Sequence, residues 1–80
     1  VGENAEVMFT IYPNPAKDVI NINTNAVKYE YQLINSLGQV VISGTSNGAQ
    51  QINVSDLNKG MYFLKVIADG ESRINKIVVE

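Results

Sequence analysis

The sequence predicts an all-β fold, a seven-stranded antiparallel β-sandwich. Three observations predict it. Apolar residues recur at every second position in short segments, and no window carries the i, i+3, i+4, i+7 stripe of an amphipathic helix. Turn-forming Gly, Asn, Asp, Ser and Pro bound those segments about every 8–12 residues. Leu57-Asn58-Lys59-Gly60-Met61-Tyr62, followed by the alternating Phe63-Leu64-Lys65-Val66, reads as a tyrosine corner. In such a corner a Tyr opening a strand returns its hydroxyl to the backbone just upstream, and Gly lets the chain turn sharply enough for the ring to lie down. Together these place the chain among immunoglobulin- or fibronectin-like sandwiches.

The expected strands are Val7 to Tyr12, Asp18 to Thr24, Lys28 to Asn35, Gln39 to Gly44, Gln50 to Val54, Met61 to Ala68 and Arg73 to Val79. Pro13-Asn14-Pro15 follows the first strand and confines the backbone to extended and turn geometry, so it is a stiff corner with few free donors. Ser36-Leu37-Gly38 closes a hairpin, Asn47-Gly48 sits where positive φ is needed, and Asp69-Gly70 joins the last two strands. Alternation points Ile20, Ile22, Tyr29, Tyr31, Leu33, Ile52, Val54, Tyr62, Leu64 and Val66 inward. The last strand has no clear parity, because Ile74 and Val78 oppose Ile77 and Val79. Apolar residues on both sides suit a strand covered on both faces or one that meets a partner.

Composition narrows the function. Eighty residues make one domain with a thin core. With no Cys and no His, the chain has neither disulfides nor Ser-His, Cys-His or His-zinc chemistry. A net charge of −2 with six scattered Lys and Arg argues against nucleic acid, which needs a basic stripe. No apolar run is long enough for a membrane helix, so direct membrane insertion is not expected. Val1 to Glu6 carry no signal-peptide pattern and no initiator Met, and read as a residual linker, residues 1–6, before a domain at 7–80 excised from the end of a longer protein.

The remaining candidates for chemistry have plainer readings. The eight carboxylates form no pair spaced for acid–base work, and Asp56 after Ser55 suits a local Asx-type hydrogen bond better than calcium. No metal and no cofactor are expected. Tyr29 and Tyr31 could form a sugar-stacking platform, but Leu33 continues their face while Glu30 and Gln32 take the other, which turns the tyrosines inward. Lys65, Arg73 and Lys76 on the final hairpin suffice as protection of an edge strand, yet a terminal strand is also the element most able to pair with a partner.

Taken in order, four segments carry a resemblance: Tyr12-Pro13-Asn14-Pro15-Ala16, Tyr31 to Val41 with its Leu37-Gly38, Leu57-x-x-Gly60-x-Tyr62, and Lys76-Ile77-Val78-Val79. Over residues 11 to 80 the chain resembles the type A C-terminal sorting domain of the type IX (Por) secretion system of Bacteroidetes. The resemblance implies a non-catalytic targeting module that folds as a small β-sandwich in the periplasm. It would direct an upstream cargo domain of the same precursor through the type IX outer-membrane translocon, with shuttle components, to the cell surface or the medium. A sortase-like cysteine peptidase would then remove it and can transfer the cargo to lipopolysaccharide; the catalytic Cys belongs to that peptidase. Carried onto this sequence, the family pattern falls on Pro13, Asn14, Pro15, Gly38, Leu57, Gly60, Tyr62, Lys76, Val78 and Val79. The alternative is a fibronectin-like spacer or a carbohydrate-binding module of a secreted enzyme.

Overall fold

Short alternating segments with good turn residues pair with their sequence neighbours first, and in the computed structural model of the chain, which describes residues 8–13 and 15–80, they do so as hairpins. The strands are β1 (Phe9–Tyr12), β2 (Val19–Thr24), β3 (Tyr29–Asn35), β4 (Val40–Ser46), β5 (Gln50–Asn53), β6 (Gly60–Ala68) and β7 (Glu71–Val79). All pair antiparallel, in a three-stranded sheet of order β1-β2-β5 and a four-stranded sheet of order β4-β3-β6-β7. The seven-strand sandwich follows, and no helix occurs among the described residues. Val7, expected to open the first strand, lies outside the described residues. β4 runs on to Ser46 because its ladder with β3 continues to the Tyr29–Ser46 pair.

Alternation sets the core. Ile20, Ile22 and Ile52 from one sheet, with Val54 just after β5, meet Tyr29, Leu33, Leu64, Val66, Ile77 and Val79 from the other, all buried. Tyr29 is 1% exposed and packs edge-on against Phe9 of the facing sheet, with ring centroids 5.3 Å apart. Tyr31 is only half-buried, because its ring lies across β4 over Gly44, where a Cβ would come within 2.5 Å of its hydroxyl. Its plane is tilted 51° to that of Tyr29, so the two rings form no flat platform. The parity of β7 resolves with Ile77 and Val79 inward and Ile74, 62% exposed, and Val78 on the outer face.

The turns use the expected chemistry in most places. Gly38, Gly48 and Gly70 have φ of +88°, +73° and +78°, and Asp69 joins Gly70 in the left-handed region at +53°, the two-residue hairpin that matches strand twist. At the β3–β4 turn the Asn35 side chain accepts hydrogen bonds from the Leu37 and Gln39 amides at 3.0 and 2.9 Å. The β5–β6 loop differs from expectation. Asn53, not Asp56, supplies the local side-chain acceptor, bonding the Ser55 amide at 2.9 Å and its hydroxyl at 2.7 Å. Asn53 ends a strand with its side chain pointing along the turn, a placement that residue type alone does not distinguish from Asp56.

A second irregularity is a β-bulge. Leu33 faces Ile42 but Ile34 faces Val40, which leaves Val41 as an extra residue on β4. The bulge lets Ile42 pack on the core while Val40 stays half-exposed on the other face.

The tyrosine corner is formed. Tyr62, 7% exposed, donates its hydroxyl hydrogen to the Asn58 carbonyl at 2.7 Å, and Leu57 packs against the core from the loop below. Tyr62→Phe should therefore lower stability by about 1 kcal/mol, the net worth of one hydrogen bond. Leu57→Ala should cost about 2 kcal/mol, the low end for a leucine truncation, because Leu57 is only half-buried. Urea midpoints unchanged in both variants would contradict this account of the corner.

Tyr29 carries a second test. Its hydroxyl donates to the Gly48 carbonyl at 2.8 Å, and burial pushes its phenol above the ordinary 10.0, against an opposing hydrogen-bond contribution from Ser46. The folded state thus favours the neutral phenol. The stability it contributes is fully present below pH 10.0 and is lost as the pH rises through the folded-state value. Tyr29→Phe should unfold less steeply in alkali than the parent, as read by urea midpoints along a pH series; identical alkaline losses would exclude Tyr29 as the group responsible.

Candidate functional site

The residues singled out by the sequence come from four distant segments, and the strand registers carry them to one end of the sandwich. β3 and β6 pair Asn35 with Tyr62, which puts the Gly38 turn beside the tyrosine corner. Across the next ladder Gly60 faces Val79, which brings the corner and the tail together. In the other sheet, Tyr12 faces Asn21 and Val19 faces Asn53, so the Pro13–Pro15 corner and the loop leading to Leu57 open at the same end.

One residue laces this end shut. Ala16 donates its amide hydrogen to the Val78 carbonyl at 2.7 Å and accepts one from the Glu80 amide at 2.8 Å, a short parallel bridge centred on Val79. Ala16 is completely buried. The connection between β1 and β2 of one sheet is thereby hydrogen-bonded to the last strand of the other. Alongside it, the Val54 amide donates to the Asp18 carbonyl at 2.8 Å, fixing the start of β2 against the loop after β5.

The sequence-chosen residues divide by exposure. Gly38 and Gly60 are turn and strand-entry positions with φ of +88° and +146°, in the region that favours glycine. Leu57, Tyr62 and Val79 face the interior. Pro13 and Pro15 are exposed at the corner, while Asn14 lies outside the described residues. Lys76 is exposed on the outer face of β7 opposite Phe63, and Val78, partly buried, stands beside it opposite Met61. Ala16 and Asn35 were not among the chosen residues. A parallel bridge between chain segments some sixty positions apart leaves no local pattern, whereas Asn35 before Ser-Leu-Gly is legible as an Asx turn.

Chemically this end offers backbone, proline and apolar surface with lysines at its margin. Among the described residues no group of three His, Cys, Asp or Glu is placed to hold a metal ion.

The model of the secretion system C-terminal sorting domain family matches residues 10–80, nearly the whole chain. Among curated proteins none matches significantly. Domains of this family are non-catalytic signals that engage the type IX secretion machinery and lead to export to the cell surface or the medium. The β-sandwich, the tyrosine corner and the laced end correspond to the matched segment, and the chain belongs to the family of C-terminal sorting domains that serve as type IX secretion signals.

Proposed function

We propose that this domain, residues 7–80, carries an upstream cargo of the same precursor across the periplasm to the type IX translocon and its shuttle components. A sortase-like cysteine peptidase then cuts within or before residues 1–6. The end of the sandwich that gathers Pro13, Pro15, Gly38, Leu57, Gly60, Tyr62, Lys76, Val78 and Val79 is the part the machinery reads. The observation that carries this reading is the Ala16 bridge, which places the proline corner against the tail. Within that end the roles separate. Leu57, Gly60, Tyr62 and Val79 hold the shape, and Pro13, Pro15, Lys76 and Val78 present it.

The test is transport. Val1 to Glu80 fused behind a Sec signal peptide and a fluorescent reporter should bring the reporter to the surface or medium only where the type IX machinery is intact. Equal export from a translocon-deficient strain would remove the sorting function. Point variants serve better than truncation here. Deleting Ile77 to Glu80 takes away two core side chains and both Ala16 bonds, so its effect on export reports folding.

A further inference from the structure

We infer that the outer face of the three-stranded sheet is a binding site for a neutral polysaccharide chain, a site that does not rest on the sorting reading. Alternation turns Phe9, Ile11, Ile20, Ile22 and Ile52 toward the core and sends their neighbours to the opposite side. The ladders set those neighbours out in rows. Tyr12, Asn21 and Gln51 share one row across β1, β2 and β5. Thr10 and Asn23 form the next row toward one end, and Val19 and Asn53 the next toward the other. Met8 extends the β1 edge, its amide donating to the Asn25 side-chain oxygen at 2.9 Å.

The chemistry of this face is uniform. None of the chain's Lys, Arg, Asp or Glu residues stands in these rows, whereas the outer face of the other sheet bears Glu30, Lys65 and Lys76. Side-chain amides fill it, from Asn21, Asn23, Gln51 and Asn53, around a Tyr12 that is 48% exposed. Gln51 donates from Nε2 to Asn21 Oδ1 at 3.1 Å, and Asn21 donates from Nδ2 to the Tyr12 carbonyl at 3.3 Å, so the central row is fixed in advance of any ligand. The exposed Asn23 side chain makes no hydrogen bond among the described residues. With Met8, Thr10, Thr24 and Asn25 it lines a shallow hollow of about 280 Å³ beside the Tyr12 row.

These groups select the ligand class. A sugar ring has an apolar C–H face that lies on an aromatic ring, and hydroxyls that donate and accept at once. Tyr12 supplies the ring, and each Asn or Gln amide supplies a donor and an acceptor side by side, which suits adjacent hydroxyls. With no cation, the face has nothing to neutralise a phosphate or a uronate, which weighs against nucleic acid and acidic glycans. Laying it into acyl chains would strip water from the amides with no partner in exchange. A protein interface is organised around a packed apolar centre, whereas here Met8, Tyr12 and Val19 stand in separate rows, each paired with an Asn. From the Met8 row to the Val19–Asn53 row, three steps of about 7 Å along the strands give a face roughly 20 Å long. That exceeds one sugar ring, so the ligand is a chain lying along the sheet.

Affinity electrophoresis of the chain Val1 to Glu80 through gels containing β-glucan, glucomannan, arabinoxylan or soluble starch should show retardation by at least one of them. Tyr12→Ala should weaken that binding about tenfold, while Tyr12→Phe, which keeps the ring, should bind close to the parent. Asn23→Ala, at an exposed side chain that the fold does not use, should weaken it severalfold at an unchanged thermal midpoint, and serves if Tyr12→Ala fails to fold. Lys65→Ala, on the outer face of the other sheet, should bind like the parent. In the parent, an oligosaccharide of the retarding polymer should shift the side-chain amide NMR signals of Asn21, Asn23 and Gln51 and leave the backbone signals of Lys65 and Ile74 in place. Retardation by none of these polymers would overturn the inference. So would equal binding by folded Tyr12→Ala and Asn23→Ala, NMR shifts confined to the four-stranded sheet, or stronger retention by polygalacturonate than by any neutral polymer.

Discussion

Two backbone hydrogen bonds at Ala16 hold the architecture together where it is otherwise weakest. Sheets in a sandwich attract one another through side chains, while their hydrogen bonds run within each sheet, so nothing in the pairing of β6 with β7 ties the tail to the opposite layer. A terminal edge strand of this kind frays readily. Here the Val78 carbonyl and the Glu80 amide, both directed away from β6, are taken up by the amide and carbonyl of Ala16. The methyl group of Ala16 is fully buried, and a larger side chain would have to displace close-packed neighbours. The tail is thus part of the core's closure, and the corner that precedes β2 is held in place by the last residues of the chain.

That constraint matters because the core is thin. A chain of 80 residues without Cys relies on one layer of side chains between two sheets. Local polar bonds fix the corners around this layer: Tyr62 on Asn58, Asn35 on its own turn, Asn53 on Ser55 and Tyr29 on Gly48. Each satisfies a loop group that the sheets leave unpaired, which lets short loops turn without stranding buried donors or acceptors. The apolar residues on the outer face of β3, β4, β6 and β7 do not contribute to this closure.

The sequence is most legible where the physics is local. Alternation identified Ile20, Ile22, Leu33, Ile52, Val54, Leu64 and Val66 as interior, and Gly after Asn or Asp marked the left-handed turns. The tyrosine corner was legible because its donor and acceptor lie four residues apart. Features that depend on distant partners were not. The extra residue Val41 is defined only by the register of β3, the half-burial of Tyr31 by the space above Gly44, and the parity of β7 by which side β6 presents to the core. Asp56 and Asn53 are equally plausible turn acceptors on residue type, and the strand end decided for Asn53. For the candidate site, the motif residues could be named one by one, but the meeting of those that are described at one pole is a product of topology.

This division bears on what a family motif means. A position can recur in a sorting domain because the machinery touches it or because the machinery touches something it holds in place. Tyr62, Leu57 and Val79 face inward, and Gly60 supplies a backbone conformation, so substitutions there act on stability. Pro13, Pro15 and Lys76 are exposed, and Val78 is partly so beside Met61 on the outer sheet face, where a substitution changes the surface while the core stays filled. Lys76 and Val78 belong both to the tail that Ala16 secures and to the outer face of the four-stranded sheet. Their placement depends on the completed sandwich, since β7 presents these side chains in register only when β6 is paired with it and its end is laced to Ala16.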